Sequence, residues 1–82
     1  MKKLLKFEAS WCNPCKAMDS VLEQVKDLFE ITHIDIEEED SHELVLAYRI
    51  MSVPTIIILD EVGDVDARVV GTCTVEHLKG LA

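Results

Sequence analysis

The chain predicts an α/β fold in which helices flank a four-stranded mixed sheet, with elements in the order β-α-β-α-β-β-α. Three observations carry this reading. An apolar run at residues 3–9 gives way at Asn13 to helical spacing. A β-branched run, "TIIIL" at 55–59, is followed through a short glycine-containing turn by the alternating "VDARVVG" of 65–71. Between them lies "ITHIDI" at 31–36, a further alternating stretch with helix-compatible sequence on both sides.

Taken in order, residues 3–9 read as a buried strand. From Asn13 to about Phe29, Met18, Val21, Leu22, Val25, Leu28 and Phe29 fall on one stripe, while Lys16, Asp19, Glu23, Lys26 and Asp27 lie mostly on the other face. Pro14 suits the first turn of that helix, where its missing N–H costs no hydrogen bond. Residues 31–36 form the second strand, and the run "EEED" at 37–40 is a solvated loop. Asp40 and Glu43 have the spacing of a capping box, which opens a short helix over 41–49. Pro54 ends that helix region, 55–59 is the third strand, "DEVGD" is a turn and 65–71 the fourth strand. Thr74 caps a last helix that runs through Leu81. Strands linked by a long helix run parallel, whereas strands joined by a short turn form an antiparallel hairpin. The first and third strands, richest in apolar residues, belong in the middle of the sheet.

With 82 residues, the expectation is one domain over 1–82. A chain this short hides only about 60–65% of its unfolded surface, so it depends on the well-formed apolar runs for its core. The formal charge of −8 argues against nucleic-acid and anionic-membrane partners and favours contact with basic surfaces. "MKKLLKFEASW" begins like a secretory leader, but Lys6 and Glu8 interrupt the apolar stretch, and no segment approaches the length of a transmembrane helix. The expectation is therefore a cytoplasmic protein. Three cysteines with a single close pair are not the even framework of a stapled secreted domain.

The close pair is "WCNPC" at 11–15. Cys12 falls at the N-terminus of the long helix and Cys15 one turn further in, a spacing that sets the Cα atoms about 5–6 Å apart, within reach of an unstrained disulfide. Unpaired backbone N–H groups and the helix dipole favour a thiolate at Cys12, so its pKa should fall. Cys15 lies deeper and should be less exposed. An exposed thiolate with a buried resolving thiol is the arrangement that dithiol exchange requires. The competing reading is a zinc or copper site. It would need Cys73, His33, His42 or His77 to complete it, and none of these is spaced as a second knuckle.

"FEASWCNPCKAM" resembles the active-site segment of the thioredoxin family, and the element order is that of the family's minimal fold. The similarity covers nearly the whole chain, without the extra N-terminal strand and helix of full-length thioredoxins; the size is closer to glutaredoxin. A second shared element is "SVPT" at 52–55. The resemblance implies a cis Val53–Pro54 bond packed against the active-site cysteines, with the Val53 backbone offered to substrate. Gly71 matches a family glycine that lets the substrate chain approach. Trp11 becomes a partly exposed wall beside the sulfurs, against the alternative of a core aromatic. Asn13 and Pro14, in place of the usual Gly-Pro, tune the potential.

Two positions depart from the family pattern. Lys6 stands where thioredoxins usually carry a buried aspartate that relays a proton. The expectation is that its ammonium runs out to solvent at the sheet edge; the alternative sets it near the sulfurs, stabilising thiolate. Proton transfer from Cys15 would then pass through water, Lys6 or Glu8. Cys73 reads as a small buried hydrophobe, with a regulatory thiol as the alternative. "GTCT" is similar to a glutaredoxin glutathione-binding segment, but Thr74 and Val75 replace its acids.

The resemblance thus implies a thiol–disulfide oxidoreductase that reduces disulfide-containing proteins and is recharged by a thioredoxin-reductase-type donor; with no long exposed apolar helix face left over, the expectation is a monomer. No cofactor is required, because the cysteines carry the electrons. A glutathione-dependent glutaredoxin-like enzyme and a non-enzymatic binding or metal-handling module are the alternatives.

Overall fold

A computed structural model describes residues 1–82, and its elements follow the expected order: β1 (Lys3–Glu8), α1 (Asn13–Glu23), β2 (Glu30–Asp35), α2 (His42–Ala47), β3 (Thr55–Leu59), β4 (Val65–Val70) and α3 (Val75–Lys79). The strands lie in the order β2-β1-β3-β4, with β1 and β3 in the middle. Every residue of β3 is buried, as a β-branched central strand requires. β1 pairs with β2 in parallel and with β3 antiparallel, and β3 and β4 form the antiparallel hairpin.

The step from β2 to β3 also passes through a helix, yet β3 runs against β1. The six residues of α2 span only about 9 Å, short of the length of the sheet. The chain therefore enters β3 at the end where β2 stopped. Glu8 is aligned with Asp35 and Phe7 with Thr55, so the C-terminal ends of β1 and β2 and the start of β3 share one edge.

Apolar clusters cover both faces of the sheet. On one face Leu4, Ile56 and Ile58 pack with Met18, Leu22, Val25 and Phe29 and with Leu78 of α3. On the other, Phe7, Ile57 and Leu59 pack with Ile34 and Ile50, and Tyr48 meets Phe7 edge-on at a centroid distance of 6.1 Å.

The strand bounds lie within a residue of the sequence reading, and the helix bounds differ more. α1 ends at Glu23 rather than near Phe29. Beyond it the Gln24, Val25 and Leu28 amides donate to carbonyls three residues back, giving tight turns in place of helix. Val25 and Phe29 stay buried through those turns and Leu28 is exposed, so the apolar pattern outlasts the helix. The capping box is not formed: Glu39–Ser41 is a 3-10 turn, and Ser41, not Asp40, caps α2 without a side-chain hydrogen bond. α3 stops at Lys79, short of Leu81, but Thr74 does cap it, its Oγ1 accepting from the His77 N–H. No helix is long and apolar enough to cross a membrane.

Candidate active site

The edge where β1, β2 and β3 meet carries the cysteine pair. Cys12 and Cys15 form a disulfide with their Cα atoms 5.3 Å apart, inside the range set by their spacing. Cys12 is the N-cap of α1, and its Sγ accepts the Cys15 N–H at 3.1 Å. Asn13 and Pro14 fill the first two helical positions and are exposed. The expected contrast in exposure between the sulfurs is absent: Cys12 is 4% and Cys15 2% exposed. Once the bond is closed, both cysteines pack with Ala9, against Ile36 and Val53. What still separates them is position, since only Cys12 sits at the helix terminus, where backbone N–H groups favour an anion.

One side of the disulfide is apolar. Val53–Pro54 is cis, with Val53 against the cysteines and Pro54 buried. The Pro54 carbonyl accepts the Gly71 N–H at 2.8 Å, which joins the two loops expected to hold substrate. Gly71 has φ +86°, a conformation that side chains adopt with strain, although a Cβ there would meet nothing within 4 Å. Trp11 is 65% exposed and so is no core aromatic.

The other side is polar, and there the reading of Lys6 is overturned. Lys6 does not reach solvent at a sheet edge: it lies on a central strand and is 1% exposed. Its Nζ donates to the Cys15 carbonyl at 2.7 Å and to Asp19 Oδ1 at 2.5 Å, and pairs with Glu8 Oε1 at 2.7 Å. His33 Nδ1 meets the same Glu8 oxygen at 3.0 Å. Burial disfavours the Glu8 charge, but the hydrogen bonds from Lys6 and His33 outweigh it and hold this carboxyl below its ordinary range. A cleft of about 280 Å³ opens onto Lys6, Glu8, Ala9, Ser10, Cys15, Lys16, Asp19 and Asp35. Ligand atoms of Glu8, Asp19 and His33 lie within 4.8 Å of one another. The Lys6 ammonium bridges the two carboxylates, and so takes the position a cation would need.

Asp19, His33, Ala9 and Ile36 were missed as site residues. Glu8 could be assigned to the same face as Lys6 from the two-residue period of a strand. His33 and Asp19 required the β1–β2 register and the docking of α1. Cys73 does not join the cluster around the disulfide; it is half-buried against the core of the α1 face, with its backbone N–H on Met18 Sδ at 3.4 Å. Burial pushes its thiol pKa up, which makes it a poor nucleophile.

Fold and site together make this a thiol–disulfide oxidoreductase. The thioredoxin family profile matches residues 1–81, and the chain belongs to the thioredoxin family. A thioredoxin from Staphylococcus epidermidis is 36% identical over 80 residues, covering 93% of this chain and 74% of the relative. A solved point mutant of thioredoxin from Halobacterium salinarum superposes with a TM-score of 0.85 at 30% identity, over 98% of this chain and 70% of the other. Oxidized mitochondrial thioredoxin 3 from Saccharomyces cerevisiae superposes with a TM-score of 0.81 over 98% of this chain and 76% of its own; at 22% identity it shows the shared fold alone. Proteins of this family act on disulfide substrates and are themselves reduced by a reductase.

Proposed function

We propose that residues 1–82 act as one domain in which Cys12 is the nucleophile and Cys15 the resolving thiol in the reduction of protein disulfides. The Cys12 thiolate attacks a substrate disulfide, forming a mixed disulfide and releasing the first substrate thiolate. Cys15 then displaces the second, closing the Cys12–Cys15 bond. Two electrons pass from the dithiol to the substrate, and the released thiolates take up protons. Trp11, the Val53 backbone, Pro54 and Gly71 line the approach for the substrate chain, while Lys6, Asn13 and Pro14 tune the pair. A thioredoxin-reductase-type donor restores the dithiol, and the protein works as a cytoplasmic monomer.

The observation that supports this reading is the disulfide itself, closed at a helix N-cap beside Val53 and the cis Val53–Pro54 bond. The test is insulin-disulfide reduction with NADPH and either thioredoxin reductase or glutathione with glutathione reductase. Turnover with the first donor that is abolished in Cys12→Ser and Cys15→Ser is expected. Turnover only with glutathione would reassign the donor. Full activity of either serine variant would overturn the assignment of the cysteines.

A further inference from the structure

We infer that Lys6 is a positioning residue for the resolving step, its buried ammonium favouring the thiolate form of Cys15. This rests on Cys15 being the resolving thiol. The Lys6 Nζ sits on the Cys15 carbonyl at 2.7 Å, and both residues line the cleft that reaches solvent. It therefore fixes the backbone of the resolving cysteine and brings a positive charge to that turn of α1.

Whether this charge is felt depends on its neighbours, and their exposure decides the matter. Glu8 on β1 and Asp19 on α1 both pair with Lys6, but their side chains are 28% and 57% exposed. Asp19 is mostly open to water and Glu8 partly so, and water weakens both charges without cancelling them, whereas a charge held inside protein acts several-fold more strongly over the same distance. On β2, His33 is tied to Glu8, and the Asp35 carboxylate accepts the Glu37 N–H at 2.9 Å. Lys16, the remaining charged group at the cleft, is exposed and adds to the positive side. The buried charge nearest the Cys15 backbone is thus a cation. Glu8, held ionised near neutral pH, does not supply a carboxylic acid there.

The chemistry this favours is direct. Cys15 releases its proton to water in the cleft, and its Sγ attacks Cys12 Sγ in the mixed disulfide. The Cys12–Cys15 bond forms as the bond from Cys12 to the substrate sulfur breaks. The substrate leaves as a thiolate and is protonated by solvent. The dithiol loses two electrons and the substrate disulfide gains them, with no carboxylic acid acting as an intermediary.

The test is the pH dependence of Cys15 alkylation by iodoacetamide in the full chain carrying Cys12→Ser and Cys73→Ser, which leaves one thiol and needs no turnover. Failure of the reductase reading and failure of this inference are therefore separate results. Adding Lys6→Met should raise the midpoint by about one pH unit, a tenfold fall in thiolate below it, and Lys6→Arg should bring it back. An unchanged midpoint in Lys6→Met, or no return with Lys6→Arg, overturns the inference. Should the Lys6 variants fail to fold, Glu8→Gln decides: it leaves the ammonium less compensated and should lower the midpoint, and no change or a rise overturns the inference.

Discussion

Phe7 and Lys6 are neighbours on β1, both shut off from solvent at 0% and 1% exposure, and they point to opposite faces of the sheet. Phe7 enters a wholly apolar cluster and meets the edge of Tyr48. Lys6 lies on the α1 face, past Leu4, where the apolar cluster gives way to Glu8, Asp19 and His33 around the disulfide. Equal burial thus does opposite things. Removing an aromatic ring from water stabilises the fold, whereas removing an ammonium costs solvation that its partners must return. The apolar surroundings of Phe7 add to the stability of the domain, and the surroundings of Lys6 give up some of that advantage beside the cysteines, where charge is of use to thiol chemistry.

Substitutions on the two faces should separate these roles. Phe7→Ala carries the largest expected effect, a loss of about 3–5 kcal/mol in urea unfolding. That is a large share of the roughly 4–12 kcal/mol that a domain this size commands. Lys6→Met should lie within about 1 kcal/mol of zero, in either direction. Removing one member of a buried ion pair usually costs several kcal/mol because the other is stranded without water. Here the partners left behind are Glu8 and Asp19, both open enough to be rehydrated, and the methionine fills the vacated volume. If Lys6→Met proved as costly as Phe7→Ala, the two faces would not differ as argued, and Lys6 would be a structural element first.

The apolar clusters on both faces were legible in the sequence and the charged surroundings of Lys6 mostly were not, for a physical reason. Apolar burial is non-directional, so "LLKF", "ITHIDI" and "TIIIL" reveal the core strands whatever their exact partners. The same indifference misled the reading of α1: Val25 and Phe29 pack equally well from tight turns, and no glycine or proline marks the stop at Glu23. A buried cation is directional, and its partners decide where it can lie. Asp19 is thirteen residues from Lys6, and His33 lies opposite it only through the β1–β2 register. Without those contacts a lysine in a strand reads as solvent-seeking. The cysteine pair was legible because a spacing of three at a helix start needs no long-range information. Val53–Pro54 and Gly71 were legible only through resemblance, since their relation to the disulfide and to each other is made by tertiary contacts.

The smallest effect sharpens the comparison most. Glu8 has a folded pKa below its ordinary value of 4.5, opposed by burial but carried down by Lys6 and His33. A depressed carboxyl contributes stability that is fully present above its unfolded pKa and is lost as pH falls through the folded one. Urea midpoints of the wild type should therefore hold between pH 7 and pH 5 and decline below about pH 4.5. Glu8→Gln cannot titrate and should decline less, by under ~1 kcal/mol, because the carboxylate is partly open and solvent weakens its pairing. Phe7 has no counterpart to this behaviour, so the difference between Glu8→Gln and wild type isolates the charged face alone. Parallel acid limbs in the two proteins would mean that Glu8 is free to water in solution and that Asp19 is the principal partner of Lys6.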